Sequence, residues 1–473
     1  MRRPQGGTRI RLFPKLHEGF AEPELVVLSP PPGTVGAGPS DAHMYVTSAV
    51  GKTGPYDPPR LGPPWRGSTR PPAIPSPDGH FDHLPVDSDE FLSAHMYGSV
   101  RRVLDIWEGF LGRRIRWYHA ETHPRLELLP RIDWDNAQSG PGFIEAGARA
   151  NHAGHIEVFA LNFEIVAHET GHAIIFSEVG VPAPAALTGE YLAFHESFAD
   201  LIALISVMFF DSVLTGVLDQ SHGNLYVANM LNRIGELSDT EQIRMADNTT
   251  VMADLAGLRF DPVRRDWTDA TGKKRNAHDL AQPLTGAIFD ILVEIYQDRL
   301  AERGLIDPDT DARGWSRAEV EAKMARFAEH FRRRFDTRRA DFIAALVEAR
   351  DTVAACLAGV LDTAYPDRLS FDGIAGHFLR AAATLGHRRR LPAFRQHFLD
   401  RGIVPVAAGV RIERLLAASP AWQPASGPCY AEARAAAGRA RWAATEAVAR
   451  RHITAVAPID RLIRNGHRDA GTF

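Results

Sequence analysis

Apolar residues recur at helical spacing over 89–112 (DEFLSAHMYGSVRRVLDIWEGFLG), with Asp89 and Glu90 at the end where a helix dipole favours negative charge. The same period returns over 162–178, after a weakly alternating HIEVFA at 155–160. It returns again over 189–210, beyond the proline-rich turn VPAPAA at 181–186. Farther on, the pattern predicts helices near 222–237, 280–303, 316–334, 337–363, 370–385 and 390–400. Strand-like patterns occupy 113–121 and 142–150. Strands are therefore expected before residue 160 and helices after it. That is an α+β arrangement: a mixed N-terminal lobe with a mainly helical C-terminal lobe.

Two stretches fall outside this patterning. Residues 1–80 hold 16 of the 32 prolines, which removes backbone donors and predicts an extended or wrapping arm. Globular patterning is expected to start near Phe81. Residues 401–473 are rich in Ala and Arg, with one helix expected at 428–451 and no readable chemistry. The expected organisation is a Pro-rich arm (1–80), an α/β lobe (81–186), a helical lobe (187–400) and a C-terminal extension (401–473).

Composition removes several classes of function. The chain has 473 residues, 45% of them apolar, enough for a sizeable core. Its 54 Lys+Arg against 58 Asp+Glu give a net charge of −4, which argues against nucleic acid as a partner. The runs Arg332-Arg333-Arg334, Arg338-Arg339 and His387-Arg388-Arg389-Arg390 read as solvated helix faces. Cys356 and Cys429 make neither a disulfide framework nor a CxxC metal module. The most apolar run, LIALISVMFF at 201–210, has ten residues where a membrane span needs about 20, so a buried helix is expected and no membrane. The N-terminus lacks the apolar run of a Sec signal, and the default location is cytoplasmic, with export by another route open. Asp307-Pro308-Asp309-Thr310-Asp311 lacks the Gly and the bidentate Glu of a calcium loop, and Ser316 and Glu319 form a capping box for the next helix. P-loop, GxGxxG and GxSxG motifs do not occur.

The chemistry lies in His168-Glu169-Thr170-Gly171-His172. On a helix, positions i and i+4 share a face, so two imidazoles can hold one tetrahedral Zn²⁺ at about 2.0–2.1 Å each. Glu169 lies one position round, where a carboxylate reaches water rather than metal. The flanking residues are apolar nearly all round, and a buried helix seldom carries such groups without partners. A third ligand is expected from His195-Glu196-Ser197-Phe198-Ala199-Asp200. Glu196 and Asp200 share a face, so one can ligate while the other accepts a hydrogen bond from the far nitrogen of a ligand histidine. His195 and Glu190 are rival ligands.

HETGHA followed by ESFAD resembles the gluzincin metallopeptidases, and the thermolysin family in particular, over roughly 85–300. Ser93-Ala94-His95-Met96-Tyr97 resembles the start of the helix that opens that family's catalytic domain. Asp135-Asn136-Ala137 resembles its Asn-Ala edge strand. The resemblance implies a thermolysin-like two-lobe fold, and hydrolysis of peptide or protein substrates by zinc held at His168, His172 and Glu196. Glu169 would be the general base and Asp200 the outer partner, while Asn136 and Ala137 would bind an extended peptide. It also implies an oxyanion-stabilising His and Arg, matched here by His278 and Arg259, with Tyr191 as a substitute donor. The sequence departs from the family in three ways. Thr285-Gly286 follows His278 at a distance of seven, the interval from His172 to Glu196 is 24 positions, and the calcium-binding acids are replaced by LIALISVMFF. Two other readings stay open: a zinc-containing protein that binds without catalysis, and a zinc hydrolase of a non-peptide amide. A further expectation is that residues 1–80 lie across the cleft and restrain it.

Overall fold

The computed structural model of the chain describes residues 6–15, 22–58, 60–150, 156–225, 229–238, 241–307 and 317–406. Strands β1 (Thr8–Leu12) and β2 (Glu24–Leu28) form an antiparallel pair, with Thr8 opposite Leu28. After β3 (Met44–Val46) comes α1 (Asp89–Leu111), where Ser88 accepts from the Phe91 amide and Gly112 ends the helix at φ 69°. Gly98 lets β1 lie close to α1, since a Cβ there would meet Ile10 and Leu12. Strands β4 (Leu126–Leu129), β5 (Ala137–Gly140) and β6 (Phe143–Ala146) complete a four-stranded sheet of order β3-β4-β6-β5. β5 is antiparallel and terminal; the other pairings are parallel.

Alternation along this sheet sorts two cores. Leu126, Leu128, Ile144, Ala146 and Ala137 face the helices, while Leu129 and Phe143 join Ala49, Tyr56 and Ile132 in a smaller cluster on the other side. Glu127 and Glu145 also point to that second side. Glu127 accepts from Thr47 Oγ1 (2.8 Å), Tyr56 Oη (2.9 Å) and the Trp65 amide (3.1 Å). Glu145 accepts from Lys52 Nζ (2.7 Å), the Tyr56 amide (2.6 Å) and Gln138 Nε2 (2.6 Å). The Pro-rich segment is thus a wrapping layer whose donors end on the back of the sheet. Globular packing starts at Thr8, not near Phe81, because Ile10, Leu12 and Phe13 are already core. Its described residues pack on α1, cover the sheet face turned away from the helices, and reach the first turn of α2, where Lys15 Nζ lies 3.0 Å from Glu164.

A hairpin of β7 (Ala148–Ala150) and β8 (Ile156–Val158) leads into α2 (Phe163–Glu178). Then come α3 (Gly189–Val207) and α4 (Asp211–Ser221), followed by the hairpin of β9 (Arg233–Ser238) and β10 (Glu241–Met245). A small sheet of β11 (Arg259–Asp261), β12 (Asp266–Thr268) and β13 (Lys274–Arg275) precedes α5 (Ala277–Glu302). The last elements are α6 (Arg317–Thr363), broken at Arg338 (φ −132°), α7 (Phe371–Thr384) and α8 (Leu391–Asp400).

The molecule is α+β, but strands are not confined to the region before residue 160. The helix expected over 222–237 is replaced by α4 before it and β9 at its end, since β9 finds an antiparallel partner in β10. The strand expected over 113–121 is irregular, because the chain turns at His119, whose carbonyl accepts from the amides of Thr122 and His123. The helix expected at 428–451, Cys429, and the segment 308–311 lie outside the described residues. Among the described residues, no single helix is long and apolar enough to cross a membrane.

α5 and α8 are joined by an acid–base ladder. Asp290 meets Arg401 (2.7 Å), Glu294 meets His397 (3.7 Å) and Asp298 meets Arg390 (2.7 Å). Gly286 makes room for the Arg401 guanidinium, which also donates to Asn248 Oδ1 (3.2 Å) and the Thr250 carbonyl (3.1 Å).

Candidate metal centre

α2 and α3 start where side chains can cap them. Asn162 accepts from the amides of Glu164 (3.0 Å) and Ile165 (3.2 Å), and Thr188 accepts from Tyr191 (3.0 Å). The two helices then meet at Gly171, where a Cβ would come within 2.9 Å of Ala199 Cα. Only a residue without a side chain permits that approach. The small pair Gly171 and Ala199 was present in the two motifs, yet sequence reasoning gave it no role.

This crossing brings together His168 and His172 of α2 and Glu196 of α3. The two Nε2 atoms are 3.0 Å apart, and Glu196 Oε2 lies 3.4 Å from that of His168 and 3.7 Å from that of His172. A tetrahedral ion with bonds of about 2.0–2.1 Å sets its ligand atoms about 3.3 Å apart, so the three edges bracket the required value. All three residues are buried, Glu196 completely. Neither Glu196 oxygen makes a well-aligned hydrogen bond among the described residues. An ionised carboxylate in that state is costly unless a cation meets it, so the donor set fits a metal ion.

Asp200 accepts from His168 Nδ1 at 2.8 Å, which leaves the Nε2 lone pair of His168 facing the centre. Burial holds the His172 imidazole well below its ordinary value and so keeps it neutral, as ligation requires. Burial alone would raise the Glu196 carboxyl; the neighbouring imidazoles, His278 foremost, outweigh it and hold the group below the usual carboxylate range. Glu169, one residue after His168, is also buried.

The other expected residues divide. His278 stands in the first turn of α5, capped by Asn276, with its Nδ1 3.0 Å from Glu196 Oε2 and its side chain 23% exposed. Arg259 is exposed in β11, paired with Thr268 through the backbone, and its side chain makes no hydrogen bond or ion pair among the described residues, so the structure does not bring it to the cluster. Asn136 precedes the terminal strand β5, its Oδ1 accepting from the Ala137 amide at 2.9 Å, and β5 lies beside α2. The rival ligands are both engaged elsewhere. Glu190 accepts from the Phe371 amide, and His195 Nε2 lies 3.0 Å from the Tyr191 hydroxyl. Tyr191 is buried and donates to the Gly180 carbonyl at 2.8 Å, which uses the hydroxyl expected as a substitute donor. Thr285, seven residues after His278, donates to Ser197 Oγ at 2.9 Å and so ties α5 to α3.

No protein-family model matches this chain, and no curated protein matches it either.

Proposed function

We propose that this protein is a zinc-dependent metallopeptidase of the gluzincin class with a thermolysin-like two-lobe fold. The observation that carries the reading is the convergence of His168, His172 and Glu196 at tetrahedral spacing, with Asp200 behind His168 and Glu169 beside it. Bound there, zinc supplies a Lewis acid that makes water nucleophilic near neutral pH.

The chain's own residues do the rest. Glu169 takes a proton from the attacking water and delivers it to the departing amide nitrogen. Asp200 holds the His168 ring in the tautomer that presents Nε2 inward. His278, partly exposed beside Glu196, donates to the carbonyl oxygen as it gains charge; loss of one such donor costs about 10²–10³ in turnover. An extended peptide adds to β5 by strand pairing near Asn136 and Ala137. Arg259 has no part in this scheme.

A mass-spectrometric digest of a peptide library tests the reading, with zinc-loaded wild type beside Glu169→Gln. Cleavage by the wild type alone, with one zinc per chain in both, is the expected result. Zinc binding without cleavage by either would turn the reading to a binding protein or a hydrolase of other amides. Absence of zinc binding would remove the metal reading itself.

A further inference from the structure

Metal-ligating imidazoles donate their second ring N–H to a carboxylate, a carbonyl or water. His168 does so through Asp200. His172 does not: its Nδ1 is buried and meets no hydrogen-bond partner among the described residues. Beside it lies the ring of His195, with centroids 5.8 Å apart and planes 21° from parallel. His195 Nδ1 is likewise buried and without a partner there. At its other nitrogen, His195 reaches Tyr191 Oη (3.0 Å), and Tyr191 reaches the Gly180 carbonyl (2.8 Å).

The polarity of this chain of groups follows from its far end. A carbonyl only accepts, so the Tyr191 proton goes to Gly180. The Tyr191 oxygen then accepts from His195 Nε2. A neutral imidazole carries one proton, so His195 Nδ1 presents a lone pair. A His172 that ligates through Nε2 carries its proton on Nδ1. Two neighbouring rings therefore carry a buried donor and a buried acceptor, matched in sign and not bonded to each other.

We infer that His195 is the positioning residue of His172: a single buried water accepts from His172 Nδ1 and donates to His195 Nδ1, while Tyr191 and Gly180 fix the His195 tautomer. The inference rests on the reading that His168, His172 and Glu196 hold zinc. A water suits the place because it joins two polar groups that would otherwise be buried unsatisfied. It also accounts for His195 standing next to Glu196 in sequence without joining the ligand set.

The test uses the full chain, with zinc affinity measured by competition against a chelating dye and imidazole tautomers read by ¹H–¹⁵N correlation. His195→Phe is expected to weaken zinc about 10–100-fold, the usual cost of losing an outer partner. His195→Asn, which keeps an acceptor, should recover most of that loss. In the zinc-loaded wild type, the His195 proton should sit on Nε2, and Tyr191→Phe should loosen that assignment. Unchanged zinc affinity in His195→Phe, or a wild-type His195 protonated on Nδ1, overturns the inference while leaving the metal site intact. Should His195→Phe fail to fold, the wild-type tautomer decides. A wild type that binds no zinc overturns both this inference and the reading beneath it.

Discussion

Glu145 and Glu196 are both fully buried carboxylates, one on the back of the sheet and one between α2 and α3. Around Glu145, Lys52, the Tyr56 amide and Gln138 converge, and Tyr56, Thr47 and the Trp65 amide do the same for Glu127. Burial still raises the Glu145 carboxyl, with Lys52 working against it. Around Glu196 stand three imidazoles and, among the described residues, no well-aligned donor. The first network closes on itself and fastens one segment of chain to another. The second leaves both carboxylate oxygens without a well-aligned donor among the described residues. Burial alone does not separate a structural carboxylate from a candidate ligand; the accounting of its oxygens does.

That contrast can be broken at either end. The largest effect is expected from Lys52→Met, which strands Glu145: stability to urea should fall by about 3–5 kcal/mol. An unchanged urea midpoint would mean that the layer over the sheet is not held as described. Next, zinc at about 100 times its Kd should add about 2.7 kcal/mol to the stability of the wild type. Glu196→Gln should show no such increment in the same titration, while its metal-free form stays as stable as the wild type or gains. A large loss of metal-free stability in Glu196→Gln would place Glu196 in the same class as Glu145.

A smaller change sharpens the comparison. Gly171→Ala pushes α2 from α3 and should cost about 1–3 kcal/mol by overpacking, with a weaker zinc titration. Equal stability with weakened zinc would show that the crossing distance serves the metal alone. Last, His95 is fully buried in α1 between the Phe13 amide and the Ala160 carbonyl, and burial lowers its imidazole to about 4. The unfolded chain then binds the extra proton between about 6.5 and about 4, so stability declines as pH falls through that window, by at most about 1.4 kcal/mol per unit. His95→Gln should flatten that slope in denaturation curves taken across it.

The centre was legible because its signals are local. His168 and His172 share one helical face, Glu196 and Asp200 share another, and Asn162 and Thr188 mark where the helices begin. The helices expected over 162–178, 370–385 and 390–400 differ from α2, α7 and α8 by a residue or so. The wrapping layer was not legible as part of the core, because its partners are distant: Lys52 and Glu145 are 93 positions apart. β9 was read as helix because its pairing with β10 is a tertiary event, and apolar spacing over 222–237 does not encode it. Arg259 fits the order of a motif, but order along the chain does not set reach; β11 leaves it at the surface.

The ladder between α5 and α8 has a consequence for His278. Twelve residues separate that imidazole from Asp290, about 18 Å along a helix. Sliding α5 by one turn, about 5.4 Å, would put its acids out of step with their bases on α8. Pro283 removes one rung of the helix between the two ends without releasing either. The helix is therefore indexed like a bolt in a notched plate. The place of His278 beside Glu196 is thus indexed twice, by the Thr285–Ser197 bond near the cluster and by ion pairs farther along the rod that never touch it.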